Sequence, residues 1–271
     1  MEVESDDGGV HTLARRQERC VLAILLLEVD RVVPTDRLCQ LLWDDAAPPN
    51  ARRSLHSLVA RIRALLTRAG DGHPDAQLIS HRSGYIMRTD PDQIDVHHFR
   101  RLLDRARHTA APDERDGILR QALTLWRGPA LHNSATSDRL RRRLCAGLDE
   151  LHRQATEAWL ATGLELGRHQ ALLPELARLS AESPVRDRVA ELYMRALYEQ
   201  GRSGEALDAY RVARGRLADE LGLDPSPALR QLQQTILRGL PLSTGPAAVG
   251  GTGLRLAHLP ALTGCFPRVP A

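Results

Sequence analysis

Apolar residues recur at helical spacing in three successive stretches near the start of the chain. The first, Leu13 to Glu28, predicts a helix with Leu22, Leu25 and Leu26 on its buried side. Asp30-Arg31-Val32-Val33-Pro34 breaks that pattern. Thr35 is then placed to cap a short helix through Leu42, with Leu38, Leu41 and Leu42 facing inward. Trp43 to Pro49 carries two prolines and is expected to be a non-helical loop. From Asn50, a good N-cap, to Ala69 the stripe Leu55, Leu58, Val59, Ile62, Leu65 and Leu66 predicts a third helix. Gly70 to Pro74 reads as a turn. Two β-type runs follow, Gln77 to Ser80 and Tyr85 to Arg88, joined by His81-Arg82-Ser83-Gly84. Three helices and a hairpin in this order predict a winged helix-turn-helix, with Arg82 at the wing tip to meet a phosphate or the minor groove. Tyr85 reads equally as a packed hairpin aromatic or as a DNA contact.

The polar stretch Asp90 to Ile94 marks a boundary, and from Asp95 to about Arg238 almost everything reads as helix. Within it Gly167-Arg168 and Gly201-Arg202 lie 34 residues apart, as do Trp159 and Tyr193. Leu172, Leu176 and Leu179 repeat as Ala206, Tyr210 and Ala213 at the same offset. A period of 34 with a glycine turn between paired helices is the tetratricopeptide signature. His98 to Trp126 reads as a further, less regular helical pair. The fold expected is therefore mainly α: a winged helix-turn-helix at 11–92, a tetratricopeptide-like domain at 95–238, and a Pro/Gly-rich tail at 239–271 that reads as disordered or a linker.

Charge sharpens the third helix. Outside its apolar stripe it carries Arg52, Arg53, His56, Ser57, Arg61, Arg63 and Arg68, and no Asp or Glu occurs from Ala46 to Gly70. Such a helix suits a DNA groove, although a solvated arginine-rich face is the plainer alternative. All 37 basic residues of the chain are arginine, so every basic contact is a planar fork. The net charge of +3 by itself argues nothing about nucleic acid, since up to Asp92 acids slightly outnumber arginines. Cys20, Cys39, Cys145 and Cys265 are far apart and match no metal or disulfide spacing, which fits a reduced, cytoplasmic protein. Cys20 to Leu27 is too short to span a bilayer, and the acidic first ten residues do not suit a signal peptide.

Catalytic motifs are missing. No lysine exists to serve a P-loop, and Gly250-Gly251-Thr252-Gly253 lacks the strand-then-helix setting of a nucleotide loop. His97 and His98 point about 100° apart on a helix. There is no His-Glu-x-x-His, paired-Cys or Gly-x-Ser-x-Gly motif, so neither enzyme activity, nor a metal, nor a cofactor is expected.

These residues converge on a family. Arg31-Val32-Val33, Asp36-Arg37-Leu38, Leu42-Trp43, Ala51-Arg52 to Leu65 and Gly84-Tyr85 match in the first domain. Leu125 to Leu131 and the stretch Leu192 to Leu229, ending in Leu217-Ala-Asp-Glu-Leu-Gly-Leu-Asp-Pro-Ser-Pro227, match in the second. Over about Leu13 to Arg238 the chain resembles the Streptomyces antibiotic regulatory proteins. The resemblance implies an activator of secondary-metabolite gene clusters that binds promoter direct repeats as a homodimer and helps recruit RNA polymerase holoenzyme. It also implies that Asn50–Ala69 is the recognition helix and that the loop with Trp43, Asp44 and Asp45 touches the polymerase. Two departures stand out. Met1 to Val10 is acidic and shows no alternating pattern, so the family's N-terminal sheet is expected to be shortened or lost; either the true start lies upstream or the first domain is less stable than its relatives. Leu259 to Gly264 resembles a linker to the nucleotide-binding module of larger relatives, although neither that module nor a receiver domain is expected from these 271 residues, and direct phosphorelay control is not expected.

Helical phase places Arg53, Ser57, Ala60 and Ala64 opposite the apolar stripe, with His56, Arg61 and Arg68 flanking. Arg53 is the candidate for guanine, while Arg61, Arg68 and Arg82 are candidates for phosphate. Arg52 and Arg63 lie nearer the core edge, where their stems can cover apolar surface. Two rival functions remain at this level. One is an interaction adaptor whose truncated first domain no longer binds DNA; the other is a ligand-gated regulator, for which no polar cluster defines a pocket.

Overall fold

Helix α1 (Arg16–Leu27) is buried around nearly its whole circumference between Cys20 and Leu25. A helix covered on all sides belongs at the centre of a core. On one side it meets α2 (Thr35–Trp43) and α3 (Ala51–Ala69), which contribute Leu38, Leu41 and Leu42 and the whole stripe from Leu55 to Leu66. The same cluster also takes in Leu140 from α6 (Asp138–Glu165), with Leu144 packed against it. Cover from more elements than α2 and α3, with Val33, Leu78 and Met87 in the same cluster, explains why the burial of α1 exceeds its three inward leucines. The computed structural model describes residues 2–4, 9–69, 76–182 and 185–242. The expected turn at Gly70–Pro74, Cys265 and most of the expected tail lie outside them.

Two short strands precede α1. β1 (Glu2–Glu4) and β2 (Val10–Thr12) pair antiparallel, with Glu2 opposite Thr12 and Glu4 opposite Val10. Of the two expectations, a shortened N-terminal sheet or a lost one, the chain shows the shortened one, a two-stranded ladder. Three residues bonded through their backbones need no alternating side-chain pattern.

The second sheet has the order β3-β5-β4, formed by β3 (Val33–Pro34), β4 (Gln77–His81) and β5 (Gly84–Arg88). β4 and β5 make the expected hairpin around Arg82-Ser83, in register from Gln77 opposite Arg88 to His81 opposite Gly84. β3 was not expected, and it alters the start of α2. The chain passes straight from Pro34 into the helix, so Thr35 is the first helical residue rather than the cap, and its N–H donates to the Ser83 carbonyl at 2.9 Å. Gly84 faces Pro34 across this pair, and a Cβ there would lie 2.0 Å from the Val33 carbonyl oxygen. Tyr85 is buried, which settles its role as packing, and burial pushes its phenol above the ordinary range. The loop after α2 is also more ordered than expected. Asp44–Ala46 forms a 3-10 turn, because the prolines that forbid helix come only afterwards, at Pro48 and Pro49.

The helical half begins with α4 (Asp95–His108) and α5 (Pro112–Thr124), a packed pair as expected, which bury Phe99, Leu102 and Leu103 and Ile118 and Leu119 respectively. Trp126 then lies edge-on to Phe99 at 5.3 Å and beside His152 at 4.2 Å. The described chain divides into two compact units, Met1–Ala155 and Thr156–Ala271. α4, α5 and the first part of α6 belong to the first of these.

In the second unit α7 (His169–Glu182), α8 (Asp187–Glu199), α9 (Ser203–Leu221) and α10 (Pro227–Leu237) follow the end of α6. The repeat seen in the sequence recurs in the backbone. Gly167 and Gly201 both have φ of +73°, and each follows a helix end. The N–H of Arg168 donates to Gly163 and that of Arg202 to Leu197, the six-to-one bond of a left-handed glycine stop. Leu172, Leu176, Ala206, Tyr210 and Ala213 are buried at the matching positions. The run Leu217 to Pro227 is a stop followed by a start. Gly222 ends α9 with φ of +65°, and the Ser226 hydroxyl accepts from Leu229 N–H to open α10, with Pro227 in its first turn.

Gly84→Ala is expected to destabilise the first unit by about 1–3 kcal/mol, since the added methyl would meet backbone that cannot rotate away. Urea unfolding of the wild-type and variant chains measures this directly.

Candidate nucleic-acid interface

α3 presents two different surfaces. The stripe Leu55, Leu58, Val59, Ile62, Leu65 and Leu66 is buried, while Arg53, Ser57, Ala60 and Ala64 are exposed together on the opposite side. Ser57 folds its hydroxyl onto the Arg53 carbonyl at 3.2 Å, leaving the centre of this face low and flat. Low side chains let a helix backbone approach a groove floor, and Arg53 stands near the N-terminal end. Among the described residues no carboxylate pairs with the Arg53 guanidinium. Asn50 immediately precedes the helix, and its backbone carbonyl accepts the Ser54 N–H at 2.9 Å.

The flanks of α3 are fastened, and its arginines are what fasten them. Arg63 donates from Nε to the Leu78 carbonyl at 2.8 Å and from Nη2 to the Ser80 hydroxyl at 2.9 Å, tying α3 to β4. Arg52 pairs with Asp36 of α2 at 2.7 Å, both side chains largely exposed. These are the two arginines that the helical phase places at the core edge. His56 sits on the same side, exposed but edge-on to Tyr85 at 6.3 Å. On the other flank Arg61 donates to Glu18 of α1 at 3.1 Å, with its own side chain 45% exposed and the Glu18 side chain 5% exposed. Arg68 is exposed near the C-terminal end, its Nε donating to the Ala64 carbonyl at 3.2 Å.

The carboxylates that hold Arg52 and Arg61 are the functional neighbours that reading α3 alone misses. Glu18 left a signal: it lies four and seven residues before Leu22 and Leu25, on the buried face of α1, where a carboxylate requires a cation. Arg82 is exposed at the wing tip, next to Ser83, whose hydroxyl meets His81 Nδ1 at 3.0 Å. The structure therefore brings Arg53, Ser57, Arg61 and Arg68 onto one helix, His56 onto its wing side, and Arg82 onto the adjoining hairpin.

The loop residues stand apart from α3. Trp43 ends α2 and is half-buried against the core, and Asp44 pairs with Arg139 of α6 at 3.4 Å. The Asp45 backbone lies in the 3-10 turn, and its side chain is outside the described part of the structure. His97 is likewise placed structurally, its Nε2 lying 2.8 Å from the Leu26 carbonyl. Among the described residues no group of acidic, histidine and cysteine side chains is arranged to hold a metal. Cys20, Cys39 and Cys145 are free and buried, and burial pushes the Cys145 thiol up to about 11. No helix among the described residues is long and apolar enough to cross a membrane.

Comparison with known proteins gives this arrangement a context. Residues 94–237 match the bacterial transcriptional activator domain. The chain is 35% identical to the regulatory protein DnrI of Streptomyces peucetius over 246 residues, covering 88% of this chain and 90% of that one. It is 34% identical to the transcriptional regulator RedD of Streptomyces coelicolor, covering 71% of its length. It is also 34% identical to the regulatory protein AfsR of Streptomyces griseus, but spans only 25% of that longer chain. Among solved structures, EmbR of Mycobacterium tuberculosis in complex with a low-affinity phosphopeptide superposes with a TM-score of 0.81 at 32% identity. That match covers 88% of this chain and 63% of EmbR.

Because Arg61 partners a buried carboxylate, Arg61→Ala is expected to lower unfolding stability by about 1–3 kcal/mol. Arg53→Ala, which removes no such partner, is expected to stay within about 0.5 kcal/mol of wild type. Parallel denaturant titrations of the two variants check the contrast.

Proposed function

This chain belongs to the Streptomyces antibiotic regulatory protein family of DNA-binding transcription activators, and from that premise we propose that it activates a secondary-metabolite gene cluster by inserting α3 into the major groove of promoter direct repeats. The observation that carries the reading is the low exposed face of Arg53, Ser57, Ala60 and Ala64 opposite a fully buried stripe. Arg53 reads guanine through its fork, and Ser57 and His56 line the groove beside it. Arg68 and Arg82 meet phosphates on either side. Arg61 has a divided role. Its half-exposed guanidinium reaches toward phosphate while also neutralising Glu18.

Two copies bind tandem repeats as a homodimer on DNA, and the Trp43–Asp45 loop contacts RNA polymerase holoenzyme. The protein acts in the cytoplasm as a regulator and not as an enzyme, its partners being double-stranded DNA and the transcription machinery. The domain at 11–92 makes the DNA contacts and that at 95–238 supports dimerisation and activation.

The test is a gel shift of the full chain on promoter DNA neighbouring its own gene, with scrambled DNA as control. Sequence-specific retention supports the proposal, and its absence favours the adaptor reading. Arg53→Ala is expected to cost about 1–3 kcal/mol of binding and to relax specificity at one base position. Arg68→Ala is expected to weaken all sequences alike and to lower the salt slope by about one. Arg68 suits this comparison better than Arg61, whose loss also removes the nearer of the two arginines paired with Glu18.

A further inference from the structure

The loop that follows α2 is held in a conformation its own sequence does not favour. Asp44 has φ of +50° and ψ of −130°, a region that residues bearing a side chain rarely adopt. Such a conformation persists only where its surroundings over-determine it. One restraint is local, the Asp44 N–H donating to the Gln40 carbonyl. The others come from more than ninety residues later. Arg139 Nη1 lies 3.4 Å from Asp44 Oδ2, and the Thr136 hydroxyl donates to the Leu42 carbonyl at 3.5 Å. Leu140 is buried in the same cluster as Leu41 and Leu42. All three belong to the region that matches the bacterial transcriptional activator domain.

The junction is fastened at points rather than sealed. A cavity of about 350 Å³ lies there, lined by Trp43, Asp44, Thr136, Arg139 and Arg143 among others. The Arg139 and Asp44 side chains are 77% and 47% exposed, so their pair can open without disturbing the buried leucines beneath. Arg139 is far from Arg53 in role as well as in sequence. It fixes the loop, whereas Arg53 stands on the groove-facing side of α3.

We infer that Arg139, with Thr136, is a positioning residue for activation: the start of α6 sets the shape of the Trp43–Asp45 loop and so determines how well DNA-bound protein engages the polymerase. The inference rests on the reading of that loop as the polymerase contact. Its structural half, that Arg139 restrains the loop, is independent of that reading.

The experiment uses the full chain and three measurements on wild type, Arg139→Glu and Arg139→Lys. These are hydrogen exchange across residues 43–50, affinity for the promoter repeats, and transcription in vitro with holoenzyme. Arg139→Glu is expected to speed exchange across 43–50 and leave exchange in α3 beyond Leu55 unchanged. It should keep DNA affinity within about twofold while transcription falls by up to about fivefold. Arg139→Lys, which keeps the charge, is expected to recover most of the transcription. Unchanged exchange across 43–50 would overturn the restraint, and faster exchange with unchanged transcription would overturn the link to activation. Equal losses of DNA affinity and transcription would overturn the division of roles. If wild type itself neither binds the repeats nor activates, the proposed function fails, and the exchange measurement still decides whether Arg139 holds the loop.

Discussion

The first unit depends on α3 being gripped along one side and left bare along the other. Leu55 and Ile62 are completely buried, and each large aliphatic in the stripe contributes about 1.5–3 kcal/mol by leaving water. That burial fixes where the helix lies and which face it turns inward, since rolling it would expose the stripe to water. The setting is reinforced at the flanks, where Arg63 reaches β4, Arg52 reaches α2 and Arg61 reaches α1. Each contact is modest alone. Together they come from three different elements, so the helix cannot roll toward one without straining the others. The arginine excess on α3 therefore divides into residues that aim the helix and residues left free on the face so aimed. The fork geometry matters here, because Arg63 meets a carbonyl and a hydroxyl at once, which a point-charge ammonium does less well.

Most of the fold can be read from the sequence because its elements obey a period. The three leading helices, the hairpin and the paired helices around Gly167 and Gly201 follow spacings of 3.6, 2 or 34 residues, and all are present. What escapes reading is short or non-local. β3 has two residues, one of them proline, and β1 has three, too few to show alternation. The burial of α1 beyond its three inward leucines draws on Met87 of β5 and on Leu140, which no local pattern connects to Cys20 or Val21. The candidate interface divides in the same way. The exposed position of Arg53 follows from helical phase, and so does the edge position of Arg52 and Arg63. The pairing of Arg61 with Glu18 spans 43 residues, and the restraint of Asp44 by Arg139 spans more, so neither is visible until the chain is folded.

α6 shows why a change of element type is not the same as a change of core. Its 28 residues begin within the first compact unit and end within the second. At the start of the helix Leu140 joins the cluster around α1, whereas near its end Leu160 and Leu164 pack with Leu172 and Leu176. A polar stretch such as Asp90 to Ile94 marks where strands give way to helices, yet packing continues through it, as His97 reaching back to Leu26 shows. One uninterrupted helix thus contributes side chains to two separate cores.

The three-stranded sheet ends differently at its two margins, and both endings discourage growth. β3 is only two residues long and finishes in Pro34, which has no N–H to offer an incoming strand. On β4 the Leu78 carbonyl is already engaged by Arg63. An exposed sheet margin is ordinarily a template on which a second chain can add a strand, leading to runaway association. Here a copy crowding against either of these two margins would find fewer backbone groups on offer. Adhesion there leans on side chains, which can be tuned one at a time and reversed.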